Sequence, residues 1–465
     1  MSESINQLYQ RARKAFEIIE FWPQNKVDEM VAAVAWEWQK EETARDLVSI
    51  AMEESKMGVY EDKIAKQIGK VRGAMWDMKG IHTCGIVEED PVRHTRKIAK
   101  PIGVVANIVP STNPTATPSF LGLNLLKTRN AMIVSPHPRT RRSSFKTIEY
   151  GRRVLKEIGA PEDLLLCIEY PSNEKTSELM SACDFVVATG GAGLKKVVYA
   201  AGTPAHTVGA GNVVSIIDET ADIDAVADML VKSKAFDNSS GCSMENAVAL
   251  HESVFSKMID ALKARGAYMC SIDEREKLRK VMWPAGHTIN RDIVVRTAGH
   301  IASLAGIDVP PNTRILMVIG EKVGPEDRFS GEKLSPVLTV WKWNDFDEML
   351  DRLKRILKFS GEGHSASIHT KRDERILALA MRTNVGRIGC NMPHAFTNSG
   401  GWNSGQPFTV TLGGGTWAGN MTSDNINWRH FLNYTIIAEP IENPHVPSDE
   451  ELFGDFLKSG GRIDV

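Results

Sequence analysis

The chain has 465 residues, 42% hydrophobic and 25% charged, with a net charge of −2 and a pI of about 6.7. That balance is ordinary for a globular protein and excludes the strongly basic footprint of a nucleic-acid binder. No run approaches the roughly 18 apolar residues of a membrane span, and the first twenty residues hold no apolar signal region. The length predicts two or three domains. Six cysteines (84, 167, 183, 242, 270 and 390) are scattered, without a CxxC pair or zinc-type His/Cys spacing. A reduced, cytoplasmic protein with no metal site and no nucleic-acid or membrane partner is the expectation.

In chain order, residues 1–75 interleave charged and apolar positions. Ile5, Leu8, Ala12, Phe16 and Ile19 recur at helical spacing, so this region is expected to be helical throughout. Apolar, strand-like runs follow at 102–109, 131–135, 164–170, 185–190 and 212–218. Helix-like stretches lie between them at about 116–127, 141–158, 174–182, 191–201 and 222–234. This alternation predicts an α/β protein with a parallel sheet covered on both faces. A second alternation runs from "NAVALHE" (246–252) to "GRIGCNM" (386–392). A domain boundary is therefore expected near 230–240. The stretch 394–420 is rich in Gly, Asn, Ser and Thr, and loops of that length usually carry function.

Several segments have the residue types for chemistry. "KAFDNSSGCSMENA" (234–247) surrounds Cys242 with small residues that leave its thiol reachable, whereas Cys167 in "LLLCIEY" fits a buried strand position. "NIVPSTNPTATP" (107–118) sets Asn113 between prolines after a strand, where a fixed amide suits an oxyanion donor or simply a turn. "FVVATGGAG" (185–193) runs from a strand through Thr189, Gly190 and Gly191 into a helix. Backbone there can approach a phosphate, although a tight structural turn reads the same way. "MIVSPHPRTRR" (132–142) ends its strand with Ser135 and Pro136, and adds Arg139 and Arg141 for an anionic ligand.

Together with "IVPSTNPTATP", "VVATGGAGLKKVVYAAGTPAHTVGAGN", "FDNSSGC" and "GEKLSPVL", these motifs resemble the CoA-acylating branch of the aldehyde dehydrogenase superfamily, over nearly the whole chain. The likeness extends to the aldehyde dehydrogenase half of bifunctional aldehyde–alcohol dehydrogenases and to acylating sulfoacetaldehyde dehydrogenases. It implies the aldehyde dehydrogenase fold: a Rossmann-like cofactor domain (1–232), an α/β catalytic domain (233–417) and a C-terminal segment (418–465) returning to the first. Residues 82–100 would form a ribbon through which a homodimer or homotetramer assembles.

The resemblance also implies roles. Cys242 would be the nucleophile, forming a thioester after hydride transfer, and Asn113 the side-chain donor of the oxyanion hole. Glu332 would hold the nicotinamide ribose, and His364 would assist deprotonation of CoA or deacylation. Hydrolytic relatives carry a water-activating glutamate at the position matching "VGAGN" (208–212). This chain has no acid there, so the thioester is left for the CoA thiol. Such chemistry requires a thiol of lowered pKa. The cofactor is NADP or NAD. Arginines 139, 141 and 142 lean towards NADP, although NAD-using acylating relatives carry a similar basic stretch.

The substrate is expected to be a small, anionic aldehyde. Ser240 and Ser243 beside the nucleophile, Asn398 in "HAFTNSGGWNSGQPF" and Arg429 in "NINWRH" could satisfy such a group. Sulfoacetaldehyde leads, with acetaldehyde and succinic semialdehyde as alternatives. A hydrolysing aldehyde dehydrogenase is one rival reading, and a nucleotide-binding protein without turnover is another.

Overall fold

The computed structural model describes residues 3–460. Four helices open the chain: α1 (Ile5–Ile19), α2 (Gln24–Gln39), α3 (Glu41–Ser55) and α4 (Tyr60–Met78). The first begins at a capping box in which Ser4 and Gln7 satisfy each other's backbone N–H. Its buried face is the Ile5, Leu8, Ala12, Phe16, Ile19 stripe read from the sequence.

Strands β1 (Gly85–Asp90) and β2 (Thr95–Pro101) then form an antiparallel ribbon. A five-stranded parallel sheet follows, built from β3 (Val104–Ile108), β4 (Ala131–Ser135), β5 (Leu165–Cys167), β6 (Phe185–Thr189) and β7 (Ala205–Val208). Helices α5 (Ala116–Lys127), α6 (Arg141–Glu157), α7 (Asn173–Ala182) and α8 (Ala192–Ala200) connect them. The spatial order is β5-β4-β3-β6-β7. The chain therefore winds outward from β3 on one side and then on the other, leaving a ligand crevice at the carboxyl ends of β3 and β6.

The core explains the local sequence. Trp38 is fully buried and donates its indole N–H to the Thr147 carbonyl at 2.9 Å. Gly122 and Gly151 make room for it, since a Cβ there would lie 3.0 and 2.7 Å from its ring.

The second sheet has seven parallel strands: β8 (Val213–Ile217), β9 (Glu245–His251), β10 (Ala267–Met269), β11 (Ile315–Ile319), β12 (Val337–Trp343), β13 (Ala366–His369) and β14 (Ile388–Cys390). Their order is β10-β11-β12-β9-β8-β13-β14. Helix α9 (Ile223–Ala235) joins β8 to β9 and packs on one face with Val248, Leu250 and Met258. The opposite face buries Leu350, Leu353 and Leu357 of a helix at Phe346–Phe359.

The expected boundary after residue 232 needs correction at this level. Strand β8 and helix α9 pair and pack with the second sheet, so the chain changes sheet between Val208 and Val213. The return to the first half also begins before 418, because Phe408 already packs in its core with Ile426 and Phe431. The last strand, β15 (Leu432–Ala438), then pairs antiparallel with β2 and widens the ribbon to three strands.

Candidate active site

Cys242 lies between α9 and β9, at the amino end of the second sheet, facing the carboxyl ends of the first. The turn that carries it is unusual: Asp237, Asn238 and Ser239 have φ values of 49°, 51° and 62°. Three consecutive left-handed residues are costly for L-amino acids and persist only where side chains over-determine them. Here Asp237 is fully buried and accepts the Val59 N–H at 2.8 Å, Lys63 at 3.1 Å and Lys66 at 2.6 Å. Asn238 donates to the Gly58 carbonyl and Ser239 to the Lys234 carbonyl. The nucleophile's turn is thus pinned to helix α4.

A cavity of about 550 Å³ opens over the thiol. Asn113, Ser240, Cys242 and Ser243 line it together with Lys66 and Lys70 of α4, while Phe236, Phe396, Trp402 and Phe408 supply apolar walls. The structure therefore unites Cys242, Asn113, Ser240 and Ser243. Lys66 donates to Asn113 Oδ1 at 3.0 Å. An ammonium can only donate, so this bond fixes which end of the amide is oxygen and leaves Nδ2 as the free donor. Among the described residues its one other neighbour, Thr112 Oγ1, stands at a marginal 3.5 Å.

The resting thiol does not have the lowered pKa expected from its role. Burial pushes Cys242 up to about 11 and the Glu332 carboxylate adds to the rise, while Arg387, the Cys242 backbone N–H and the Ser243 hydroxyl oppose it. Glu332 accepts the Gly211 N–H at 2.9 Å, and burial raises its own pKa to about 7. Gly211 is pressed against the nucleophile, because a Cβ there would fall 2.1 Å from the Cys242 carbonyl oxygen.

His364 and Asn398 stand behind the cavity wall. Asn398 Nδ2 donates to Ser243 Oγ at 3.1 Å and Ser365 Oγ at 3.2 Å, and Ser365 Oγ bonds His364 Nδ1 at 2.7 Å. Burial, with Arg387 and His394 nearby, holds His364 down to about 3, so the ring is neutral, and among the described residues its buried Nε2 has no hydrogen-bond partner. Arg429 is a correction: it is exposed, lies over the Trp428 ring and faces a surface hollow with Gln406 and His430 rather than the cavity.

The cofactor candidates gather at the crevice of the first sheet. Ser135 ends β4 and shares a hydrogen bond with the Thr176 hydroxyl at 2.8 Å, and Pro136 is buried beside it. Thr189 ends β6, and Gly190 and Gly191 lead into α8, whose N-terminus has no side-chain cap. A Cβ on Gly191 or Gly193 would meet nothing within 4 Å, so open space lies over those backbone N–H donors. An anionic pyrophosphate fits such a terminus. Arg139 is exposed beyond it, whereas Arg141 donates to the Glu169 carbonyl at 3.1 Å and covers the Tyr170 ring.

The lysines of α4 escaped sequence reading. Positions 63, 66 and 70 share one helix face, but in "EDKIAKQIGK" they read as ordinary surface charges. Only the fold turns that face towards the thiol.

Two α/β sheets meeting over a cysteine, with a side-chain amide opposite, define the class. Residues 1–282 match the aldehyde dehydrogenase family, and the chain belongs to that family. It is 39% identical over 464 residues to the acylating sulfoacetaldehyde dehydrogenase of Bilophila wadsworthia, covering 99% of this chain and 100% of that one. It is 37% identical over 453 residues to the acetylating succinate-semialdehyde dehydrogenase of Clostridium kluyveri, covering 97% and 99%. The crystal structure of an acetylating aldehyde dehydrogenase from Geobacillus thermoglucosidasius superposes with a TM-score of 0.92 at 33% identity, covering 96% of this chain and 97% of that one.

Proposed function

We propose that this protein is a CoA-acylating aldehyde dehydrogenase that converts sulfoacetaldehyde, CoA and NAD(P)⁺ to the acyl-CoA and NAD(P)H. The carrying observation is the cavity in which Cys242 and Asn113 face each other beside two lysines, with no acid in the 208–212 stretch.

The Cys242 sulfur adds to the aldehyde carbon, and the developing oxyanion is met by Asn113 Nδ2 and the Cys242 backbone N–H. Lys66 holds the amide in that orientation from its oxygen side. An oxidised nicotinamide bound in the crevice of the first sheet would accept the hydride and, by its positive charge, favour the thiolate. Glu332, tied to the Gly211 N–H, is placed beside the thiol to orient a ribose there.

The thioester then waits. Val208, Gly209, Ala210, Gly211 and Asn212 offer no carboxylate to activate water. The apolar rings of Phe236, Phe396, Trp402 and Phe408 suit a long thiol arm better than a water network. His364, neutral and bonded through Ser365 and Asn398 to Ser243, supports the deacylation half-reaction in this scheme. Arg139 favours NADP over NAD through its unshielded guanidinium, and the three-stranded ribbon serves homo-oligomer assembly.

The test is NAD(P)H formation with and without CoA, across sulfoacetaldehyde, succinic semialdehyde and propionaldehyde. Turnover that requires CoA and is fastest with sulfoacetaldehyde is expected. Sustained turnover without CoA would mean that water reaches the thioester.

A further inference from the structure

The cavity contains a cation that the reaction described so far does not use. Lys66 and Lys70 both reach it from α4, one helical turn apart, but their surroundings differ. Lys66 is committed: its ammonium donates to Asp237 Oδ2 at 2.6 Å, Asn113 Oδ1 at 3.0 Å and the Ser240 carbonyl at 3.1 Å. Three donors meet three acceptors, one of them the Asp237 carboxylate that it shares with Lys63.

Lys70 donates to the Ser399 carbonyl at 2.6 Å and the Ser399 hydroxyl at 2.9 Å, with the centre of the Phe408 ring 5.7 Å from its Nζ. Both partners are neutral, and one N–H remains. Among the described residues no carboxylate forms an ion pair with Lys70; the nearest acid that influences it, Asp77, is occupied with the Phe408 N–H at 2.6 Å. The lysine also lies within electrostatic reach of Cys242. Burial, with Lys66 close by, pushes its ammonium down to about 7. A desolvated cation without a counter-ion is costly unless a ligand supplies the charge. The wall beside it is formed by Phe408 and Trp402 with Gly400 and Gly401, none of which carries a charge to balance it.

Resting on the sulfoacetaldehyde reading above, we infer that Lys70, held by Ser399, is the substrate-contacting residue that selects an anionic tail: its ammonium pairs with the sulfonate while the aldehyde carbon meets Cys242. Lys66 instead orients Asn113. The serines flanking the nucleophile are not the anion site, because Ser240 donates to the Thr112 carbonyl and the Ser243 hydroxyl, which accepts from Asn398, is directed at the Cys242 sulfur. A carboxylate at the end of a short aldehyde shares this chemistry, and succinic semialdehyde distinguishes the two sources.

The experiment compares wild type with Lys70→Met and Lys70→Arg on sulfoacetaldehyde, succinic semialdehyde and propionaldehyde. Removing the charge is expected to lower kcat/KM for sulfoacetaldehyde by at least about 30-fold, mainly through KM. Propionaldehyde should change by less than about threefold, and Lys70→Arg should restore most of the anion preference. Ethanesulfonate, a non-reacting sulfonate, should inhibit propionaldehyde turnover competitively in wild type and lose that effect in Lys70→Met. Equal losses on sulfoacetaldehyde and propionaldehyde would show a merely structural lysine and overturn the assignment. If succinic semialdehyde alone lost efficiency, the anion recognised would be a carboxylate, and the sulfonate assignment would fall. A wild type with no preference for sulfoacetaldehyde overturns the substrate reading and this one with it. A preference that survives in Lys70→Met overturns the lysine assignment alone.

Discussion

At the scale of single residues, the resting nucleophile is masked. Burial and the Glu332 charge hold the Cys242 thiol up at about 11, where an ordinary cysteine ionises near 8.5. The reactive form is the thiolate, so its population grows about tenfold per pH unit until the pH passes the pKa. Iodoacetamide inactivation of the free enzyme should therefore keep accelerating above pH 9. A plateau by pH 8 would show a thiol already activated at rest. Small or proline-rich neighbours single out Cys242 and Asn113 in the sequence, and both line the cavity. His364 could be singled out only by resemblance, since a lone histidine carries no pattern. Arg429 was misplaced because polarity in "NINWRH" says nothing about which side of a loop faces a cavity. Lys70 was invisible for the opposite reason: a lysine on an amphipathic helix looks solvated until the fold brings another domain against it.

The element that matters most is the turn at 236–241. Its three left-handed residues hold because Asp237 joins it to α4, accepting from Lys63, Lys66 and the Val59 N–H within one buried carboxylate. Removing that carboxylate leaves Lys63, itself 7% exposed, as an uncompensated buried charge. Asp237→Ala is expected to cost about 3–5 kcal/mol of stability, read as a fall in the thermal midpoint. Activity should fall as well, because Lys66 loses the partner that aims it at Asn113. Asp237→Asn, which keeps the acceptor for Val59, should lose less. A melting curve unchanged in Asp237→Ala would mean that the turn is held by backbone alone. Most helices and strands of both sheets were readable from apolar runs and helical periodicity. Strands β7 and β10 were not, since "AHTV" and "AYM" lack the unbroken run of branched apolar residues that marks even the three-residue β5. The boundary was set too late because β8 reads as one more strand in an unbroken alternation, and only its pairing with β9 and β13 assigns it to the second sheet.

For the whole molecule, the ribbon is the part that a single copy leaves unfinished. Strand β2 is paired on both sides, by β1 and β15, but among the described residues no strand pairs with the outer edge of β15. Tyr434 and Ile436 on that strand are 40% and 64% exposed, and Val92 at the ribbon tip is 82% exposed. An open edge carrying apolar side chains is an invitation to pairing, which natural sheets normally cover or charge. A second copy of the chain covers it most economically, because a symmetric contact reuses the same patch. The catalytic cavity uses no residue of this ribbon, so assembly and chemistry can be separated by mutation. Light scattering on the eluting protein should give two or four times the 51.3 kDa of one chain. Ile436→Pro with Tyr434→Lys removes an outward-facing N–H of the edge and charges the surface, and should shift the mass to that of one chain while the cysteine remains open to alkylation. A wild type that elutes as a single chain would mean that the edge is protected in some other way.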